Sequence, residues 1–547
     1  MGGGVAGNLD ARPWRRPRQL FHGVGTNGAE SRALQFFCEI AGPFLPGVTD
    51  PYFWTQLVMQ FSSFEPAVRH SVVAISSLYE QSQLRSQSQS EPQSLQQKTN
   101  SNKKKKQSPL SHRGGIRLQD NELALRHYNA AIAELKTMEN QSLVLLVCIL
   151  FICIEFLQSN RDSAIRHCKH GIYILRNNAS GPAWVREHLV PLFRRLSIFP
   201  FWFGTGADDF PSLVFLEDPI PDAFSTLSDA RSMMDDIFSR TIRLVRCGDA
   251  HRFGSLRYTK VPPSFLREQE KINYRLQKWR VLFANLDAKS TAPPNSASAV
   301  AAASTEQYDV GEEYLNSMLR VYLSISSETS LIWANMAFSA LESNYDRYLD
   351  NFRRLLRLFQ MLHTTLPVES RKHRHYPKFI FEMGFMPMTF FVANKCRDLG
   401  VRLATLRLMR LFAVPQENLG RVDITWEVAR RVIEIEHGLV VDAEGVPLSP
   451  PSHPGLPPDE RRVRDIRTEY KESIQTGPDG RQVRGRVVNY FLRTPDDAIY
   501  VQTEFFPVVR PVNGESPPDS PWKGPRKVWT RELEVRTTSP TSSPPES

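Results

Sequence analysis

The sequence predicts an all-α protein: a multi-helix domain with disordered linkers and tails and a small β hairpin near the C-terminus. Three observations carry that prediction. Apolar residues recur at three- and four-residue intervals through most of 29–440, as in helices with one buried face. Strict alternation, the mark of a strand, is confined to 482–506. The stretches between are polar or rich in Pro and Ser, too poor in bulky apolar side chains to offset the entropy of ordering them.

The first well-marked helix is 65–80, EPAVRHSVVAISSLYE. Pro66 lies in its first turn, where a missing N–H is harmless. Val68, Val72, Ile75 and Tyr79 form its apolar stripe. Glu65 precedes Arg69 by four residues, the order that favours a surface ion pair. A second helix follows Asp120, a good N-cap, with Ala124, Tyr128, Ala131, Ile132 and Leu135 in step. The run 143–157 is apolar except for Glu155. It is shorter than the ~20 residues a bilayer requires, so it predicts a helix buried on most sides. Helices of four or more turns are predicted over 228–247, 263–286, 312–339 and 344–366. Over 397–412, basic residues and leucines fall on opposite faces. Last, 482–492 and 498–506 alternate, are rich in Val, Tyr, Phe and Thr, and flank a turn at 494–497.

The implied organisation is a basic flexible arm over 1–28, one helical domain over 29–510 and a disordered Pro/Ser-rich tail over 511–547. Disordered inserts are expected at about 81–115, 288–305 and 442–458. The chain has 547 residues, 41% of them hydrophobic, enough for a sizeable core. Its net charge of +10 is unevenly spread. Residues 1–120 hold 14 Lys/Arg against 8 Asp/Glu, and the rest hold 54 against 50. The excess sits in Arg12, Arg15, Arg16 and Arg18 of the arm and in Lys103, Lys104, Lys105 and Lys106. Both clusters are candidates for nuclear import or for phosphate contact. Arginines near the start are followed by no apolar segment of a secretory signal, so an intracellular location is expected.

Several blocks resemble the regulatory, or middle homology, domain of fungal transcription factors of the zinc binuclear cluster type. They are 32–39 (RALQFFCE), 50–54 (DPYFW), the 65–80 helix, 124–132 (ALRHYNAAI), the 143–157 run and 164–171 (AIRHCKHG). Farther on come 395–398 (KCRD), 401–411, and a helix opened by Trp426 that ends in 434–438 (EIEHG). Order and spacing over about 30–440 make the resemblance specific. It implies a helical regulatory domain followed by a short terminal β element. The zinc cluster itself is missing. The cysteines, Cys38, Cys148, Cys153, Cys168, Cys247 and Cys396, are scattered, with no Cys-x2-Cys pair. Tetrahedral zinc needs four clustered thiolates or imidazoles. These thiols are expected to behave as small buried hydrophobes, with no cofactor and zinc only if an N-terminal cluster precedes this chain.

The resemblance implies a nuclear, pathway-specific regulator of transcription, of the kind that controls secondary metabolism or nutrient use. Two mechanisms stay open: pairing with a DNA-binding partner or other regulators, as a homo- or heterodimer, or a gene model that lacks the exon for the cluster. At most weak, non-specific DNA binding is expected, and no membrane association. An enzyme or scaffold with a helical fold is the rival reading. Enzyme motifs are weak. Gly23, Gly25 and Gly28 spell G-x-G-x-x-G without a preceding strand or a βαβ pattern. His167 and His170 share a helix face but have no evident carboxylate partner. Arg371, Lys372, His373, Arg374 and His375 read as a solvated loop, and Glu434 and Glu436 as carboxylates on different faces. No catalytic, cofactor or metal residue is assigned. Candidate phosphorylation sites are the Ser-Pro pairs at Ser516, Ser520, Ser539 and Ser543.

Overall fold

The computed structural model describes residues 28–47, 51–87, 116–177, 181–200, 213–291, 310–365, 377–412, 414–453, 455–469, 471–476, 482–507 and 522–523. The fold is predominantly helical, with a small sheet at the C-terminal end.

The N-terminal helices enclose one core. They are α1 (Gly28–Phe36), α2 (Val58–Ser62), α3 (Pro66–Gln87), α4 (Glu122–Lys136), α5 (Gln141–Leu157), α6 (Arg161–Asn177) and α7 (Val190–Leu196). As its apolar run requires, α5 lies at the centre: Ile149, Leu150, Ile152 and Cys153 are fully buried. Asn140 starts it by accepting a hydrogen bond from the Ser142 amide at 3.0 Å. The stripe on α3 (Val68, Val72, Ile75, Tyr79) buries completely against this core. The Tyr79 hydroxyl donates to the Phe379 carbonyl at 3.2 Å, tying α3 to a segment 300 residues away.

A second core lies among α8 (Leu227–Cys247), α9 (Pro263–Thr291), α10 (Val310–Met336) and α11 (Leu349–Thr365). α8 begins with a capping box in which Thr226 and Asp229 satisfy each other's amides. Between α11 and the next helix, β1 (Phe379–Ile380) joins a three-stranded sheet with β2 (Gln416–Glu417) and β3 (Gly420–Arg421). Then α12 (Met386–Lys395), α13 (Leu399–Phe412) and α14 (Val422–His437) close the helical body.

α14 has two apolar faces because it packs between two layers. Trp426, Ala429 and Ile433 face α12 and α13. Val428 and Val432 instead join Val488, Tyr490, Leu492 and Phe506 of the C-terminal sheet. That sheet consists of β4 (Asp465–Thr468), β5 (Ser473–Thr476), β6 (Gln482–Arg493), β7 (Ile499–Pro507) and β8 (Trp522–Lys523). Its antiparallel order is β4-β6-β7-β8, with β5 also pairing β6.

The structure revises several expectations. The hairpin over 482–506 forms, as β6 and β7, but within a larger sheet, because β4 and β5 pair with successive halves of the long β6. The N-cap of α4 is Asn121, whose side chain accepts from the Ala124 amide at 3.0 Å, while Asp120 closes the preceding single turn. Arg69 does not turn to Glu65; its guanidinium donates to the Ser62 and Ser63 carbonyls that end α2. Two inserts begin later than expected, since α3 continues to Gln87 and α9 to Thr291. The segment 442–458, read as a disordered linker, is an ordered loop over its described residues. The Asp442 carboxylate accepts from the Glu444 and Val446 amides, and Ser452 hydrogen-bonds back to His437. Pro, Gly and Ser serve here as turn formers, not as a spacer.

Candidate ligand cavity

Two blocks singled out in the sequence meet at a buried ion cluster. From α14, Glu436 accepts two hydrogen bonds from Arg397, both at 3.2 Å, and one from Arg402 at 2.8 Å. All three side chains are fully enclosed. The Val463 amide adds a bond at 2.7 Å, and the neighbouring guanidiniums hold Glu436 down to about 2. Arg397 also reaches Glu342 at 3.0 Å, which Lys395 shares at 2.9 Å. Lys395 donates further to the carbonyls of Val463 and Arg464. Burial pushes its ammonium down to about 8 despite Glu342. The cluster locks α12, α13 and α14 to the strand that leads into β4.

Beside this cluster, between the helical body and the sheet, lies a cavity of about 620 Å³. That is within the range of about 300–1,000 Å³ typical of ligand pockets. Helical spacing on α14 places Ile424, Val428 and Val432 along one wall, and α12 supplies Met386, Phe390 and Phe391. Glu417, the last residue of β2 before the β2–β3 turn, also lines it. Asn418 takes a positive φ there, a conformation that Asn tolerates better than most residues.

Glu417 is buried, with no cation against it among the described residues. Its Oε2 accepts from the Gly384 amide at 3.0 Å and the Met386 amide at 3.3 Å. A Cβ at position 384 would approach Oε1 to 2.8 Å, so glycine permits this contact. Burial outweighs the two amides and pushes the carboxyl up to about 8, so it is largely neutral at pH 7.

The polar lining is mainly cationic: among the described residues it holds nine Lys or Arg side chains against three carboxyl groups. Several are paired outside the cavity, as Arg252 is with Asp249 and Arg464 with Asp459. Yet the Nε–H groups of Arg252 and Arg464 are buried without an acceptor among the described residues, and the Oδ1 of Asn394 lacks a donor. All three residues line the cavity.

The residues chosen from sequence fall elsewhere. Arg12, Arg15, Arg16, Arg18, Lys103–Lys106, the loop at 371–375 and all four candidate phosphoserines lie outside the described residues, as does the glycine motif except Gly28. His167 packs edge-on against Phe151 at 5.5 Å, and burial drives it down to about 4. No group of three metal-ligating side chains occurs among the described residues. Cys148, Cys153, Cys168 and Cys396 are buried, as expected of small hydrophobes, whereas Cys38 is half-buried and Cys247, at the end of α8, is exposed. Glu434 and Glu436 do take separate partners, Glu434 binding Arg431 at 3.0 Å. Sequence reasoning missed Glu417, Arg252, Asn394 and Arg464. Only position 394 stood next to a noted block, and a polar stretch such as 416–420 reads as a surface turn.

Comparison of the chain with protein-family models, curated proteins and solved structures finds no match.

Proposed function

We propose that the chain is a nuclear regulator of transcription of the fungal zinc-cluster type, acting through its helical domain and lacking the zinc cluster in this sequence. The observation that carries the reading is the convergence of the blocks on which the resemblance rests. Blocks 32–39, 65–80, 124–132, 143–157 and 164–171 share one core. Blocks 395–398 and 434–438, some forty residues apart, meet as the Arg397–Glu436 pair. Such long-range agreement supports an intact regulatory domain. Pathway, partner and nuclear location are inferred from the resemblance.

An enzyme is the second reading, favoured by two cavity groups near 8, Glu417 and Lys395. Their hydrogen bonds weigh against it. Lys395 spends three donors on Glu342, Val463 and Arg464, and Glu417 braces two backbone amides. Both are occupied in holding the fold.

The test is a tethered reporter. The full chain, fused to an unrelated DNA-binding module in a fungal host, is expected to change expression from the matching promoter. A fluorescent fusion is expected in the nucleus. Exclusion from the nucleus under every growth condition, with no reporter response, overturns the proposal.

A further inference from the structure

Glu417 presents one unpartnered oxygen to the cavity. Its Oε2 is spent on the Gly384 and Met386 amides at the start of α12. Its Oε1 has no partner among the described residues and, unlike the Nε–H groups of Arg252 and Arg464, is not sealed from contact. Glycine at 384 leaves it uncovered, since a Cβ there would come within 2.8 Å. The residue as a whole is only 2% exposed and lines the cavity, so the open atom faces that space and not bulk water. Buried polar atoms are rarely left without a partner. Because the carboxyl is largely neutral at pH 7, one of its oxygens carries a proton. That oxygen is Oε1, since the two amides already occupy Oε2. A carboxylic acid kept neutral in this way donates a hydrogen bond.

The far end of α12 offers a ligand no such donor. Lys395 lies nine residues beyond Met386, roughly 13 Å at the helical rise. Lys395, Arg252 and Arg464 are committed to Glu342, Asp249, Asp459 and backbone carbonyls, and the remaining Nε–H groups of the two arginines are sealed. An anion drawn to that end would find no hydrogen bonds, and a cation would meet the positive charge of all three groups. Between the two ends the wall is apolar: Met386 and Phe390, one turn apart on α12, and the Ile424–Val428–Val432 stripe of α14. We infer that this cavity binds an uncharged, largely apolar carbonyl compound whose carbonyl oxygen accepts a hydrogen bond from Glu417. The apolar body extends from there along α12 and α14. A single water would satisfy Oε1, but filling about 620 Å³ with water would leave the apolar wall wet, whereas the volume suits a drug-sized ligand.

The inference does not depend on the transcriptional reading, because binding is measured on the purified full chain. The probe is 6-propionyl-2-dimethylaminonaphthalene, an uncharged aromatic ketone whose emission moves to the blue in apolar surroundings. Saturable binding at one site per chain is expected at pH 7, displaced by 2-decanone far better than by decanoate or decylammonium. Glu417→Gln is expected to keep the affinity within about twofold, because its amide oxygen takes the two backbone amides and its NH2 group donates in place of Oε1. Glu417→Leu, which removes the donor, is expected to weaken probe and 2-decanone about tenfold, or 1.4 kcal/mol. Ile424→Trp, which fills the apolar side, is expected to abolish binding while the thermal midpoint stays within a few degrees. If Glu417→Leu fails to fold, Glu417→Gln, Ile424→Trp and the wild-type competition series still decide. Displacement by decanoate or decylammonium as effective as by 2-decanone overturns the assignment to an uncharged carbonyl compound. Affinity unchanged in Glu417→Leu, or lost in a folded Glu417→Gln, overturns the role of Glu417. Failure to saturate, or binding unchanged in Ile424→Trp, overturns the site and leaves waters as its occupants.

Discussion

Glu436 and Glu417 are both fully enclosed carboxyls, yet their surroundings drive them in opposite directions. Two guanidiniums and an amide hold Glu436 ionised. Replacing it with Gln leaves Arg397 and Arg402 buried against each other, and breaking such a pair costs about 3–5 kcal/mol. A loss of unfolding free energy of that size, read as a lower urea midpoint with the slope unchanged, is expected for Glu436→Gln. Glu417 has, among the described residues, only the Gly384 and Met386 amides as partners, and burial raises it from 4.5 to about 8. Its unfolded form ionises near 4.5, so folding takes up a proton between about pH 4.5 and 8. The advantage of the neutral carboxyl is whole below pH 4.5 and is lost as the pH rises through 8. Glu417→Gln keeps the shape without the titration. Wild type is therefore expected to lose stability relative to this variant, by a few kcal/mol, between pH 5 and 8. Thermal midpoints of both proteins across that window check it; parallel curves would refute the assignment. Lys395, lowered from 10.5 to about 8, acts in the opposite sense above pH 8, where stability recovers as pH rises.

At the scale of elements, α5 and α6 show how much the sequence disclosed. A fifteen-residue apolar run with one carboxylate has no soluble solution except the centre of a helical body, and α5 is there. Its lone acid, Glu155, is held by the Tyr128 hydroxyl at 2.7 Å and shifted upward by burial. Ile149→Asp places an unpaired carboxylate in that centre and is expected to abolish folding, read as loss of cooperative melting by circular dichroism. The glycine ending the AIRHCKHG block also acquires a reason. A Cβ at Gly171 would run into the Phe193 ring, so α6 approaches α7 only through glycine. Gly171→Ala is expected to cost about 1–3 kcal/mol by overpacking, seen as a lower thermal midpoint. Periodicity disclosed the helices and the hairpin because each buries one face of a regular pattern. It did not disclose β4 and β5, four-residue segments whose side chains are half-buried or exposed, with none fully buried. Nor did it disclose the ordered 442–458 loop, where side-chain hydrogen bonds replace apolar burial.

For the whole molecule, the cavity was not legible in the sequence because its walls come from α12, α14, the β2–β3 turn and the strand leading to the sheet, and no local pattern links them. The net charge was legible, and it leads to the last prediction. The arginines at 12–18 and the lysines at 103–106 carry most of the basic excess, while many cations of the folded body are already matched to carboxylates such as Asp249, Glu342, Glu436 and Asp459. Sequence-specific readout needs side chains fixed against base edges, and both basic clusters fall in polar segments without an apolar face to fix them. Contact with DNA is therefore expected to be with phosphates alone. Neutralising about five phosphates by counterion release gives a log–log salt slope near roughly −4.5, with micromolar affinity or weaker at physiological salt. A mobility-shift titration across salt concentrations measures both. Substituting Arg12, Arg15, Arg16, Arg18 and Lys103–Lys106 with Ala is expected to flatten the slope and remove low-salt binding without changing the thermal midpoint. Tight binding to one sequence over scrambled competitor would instead place a base-reading element in the chain and reverse the view that a partner supplies it.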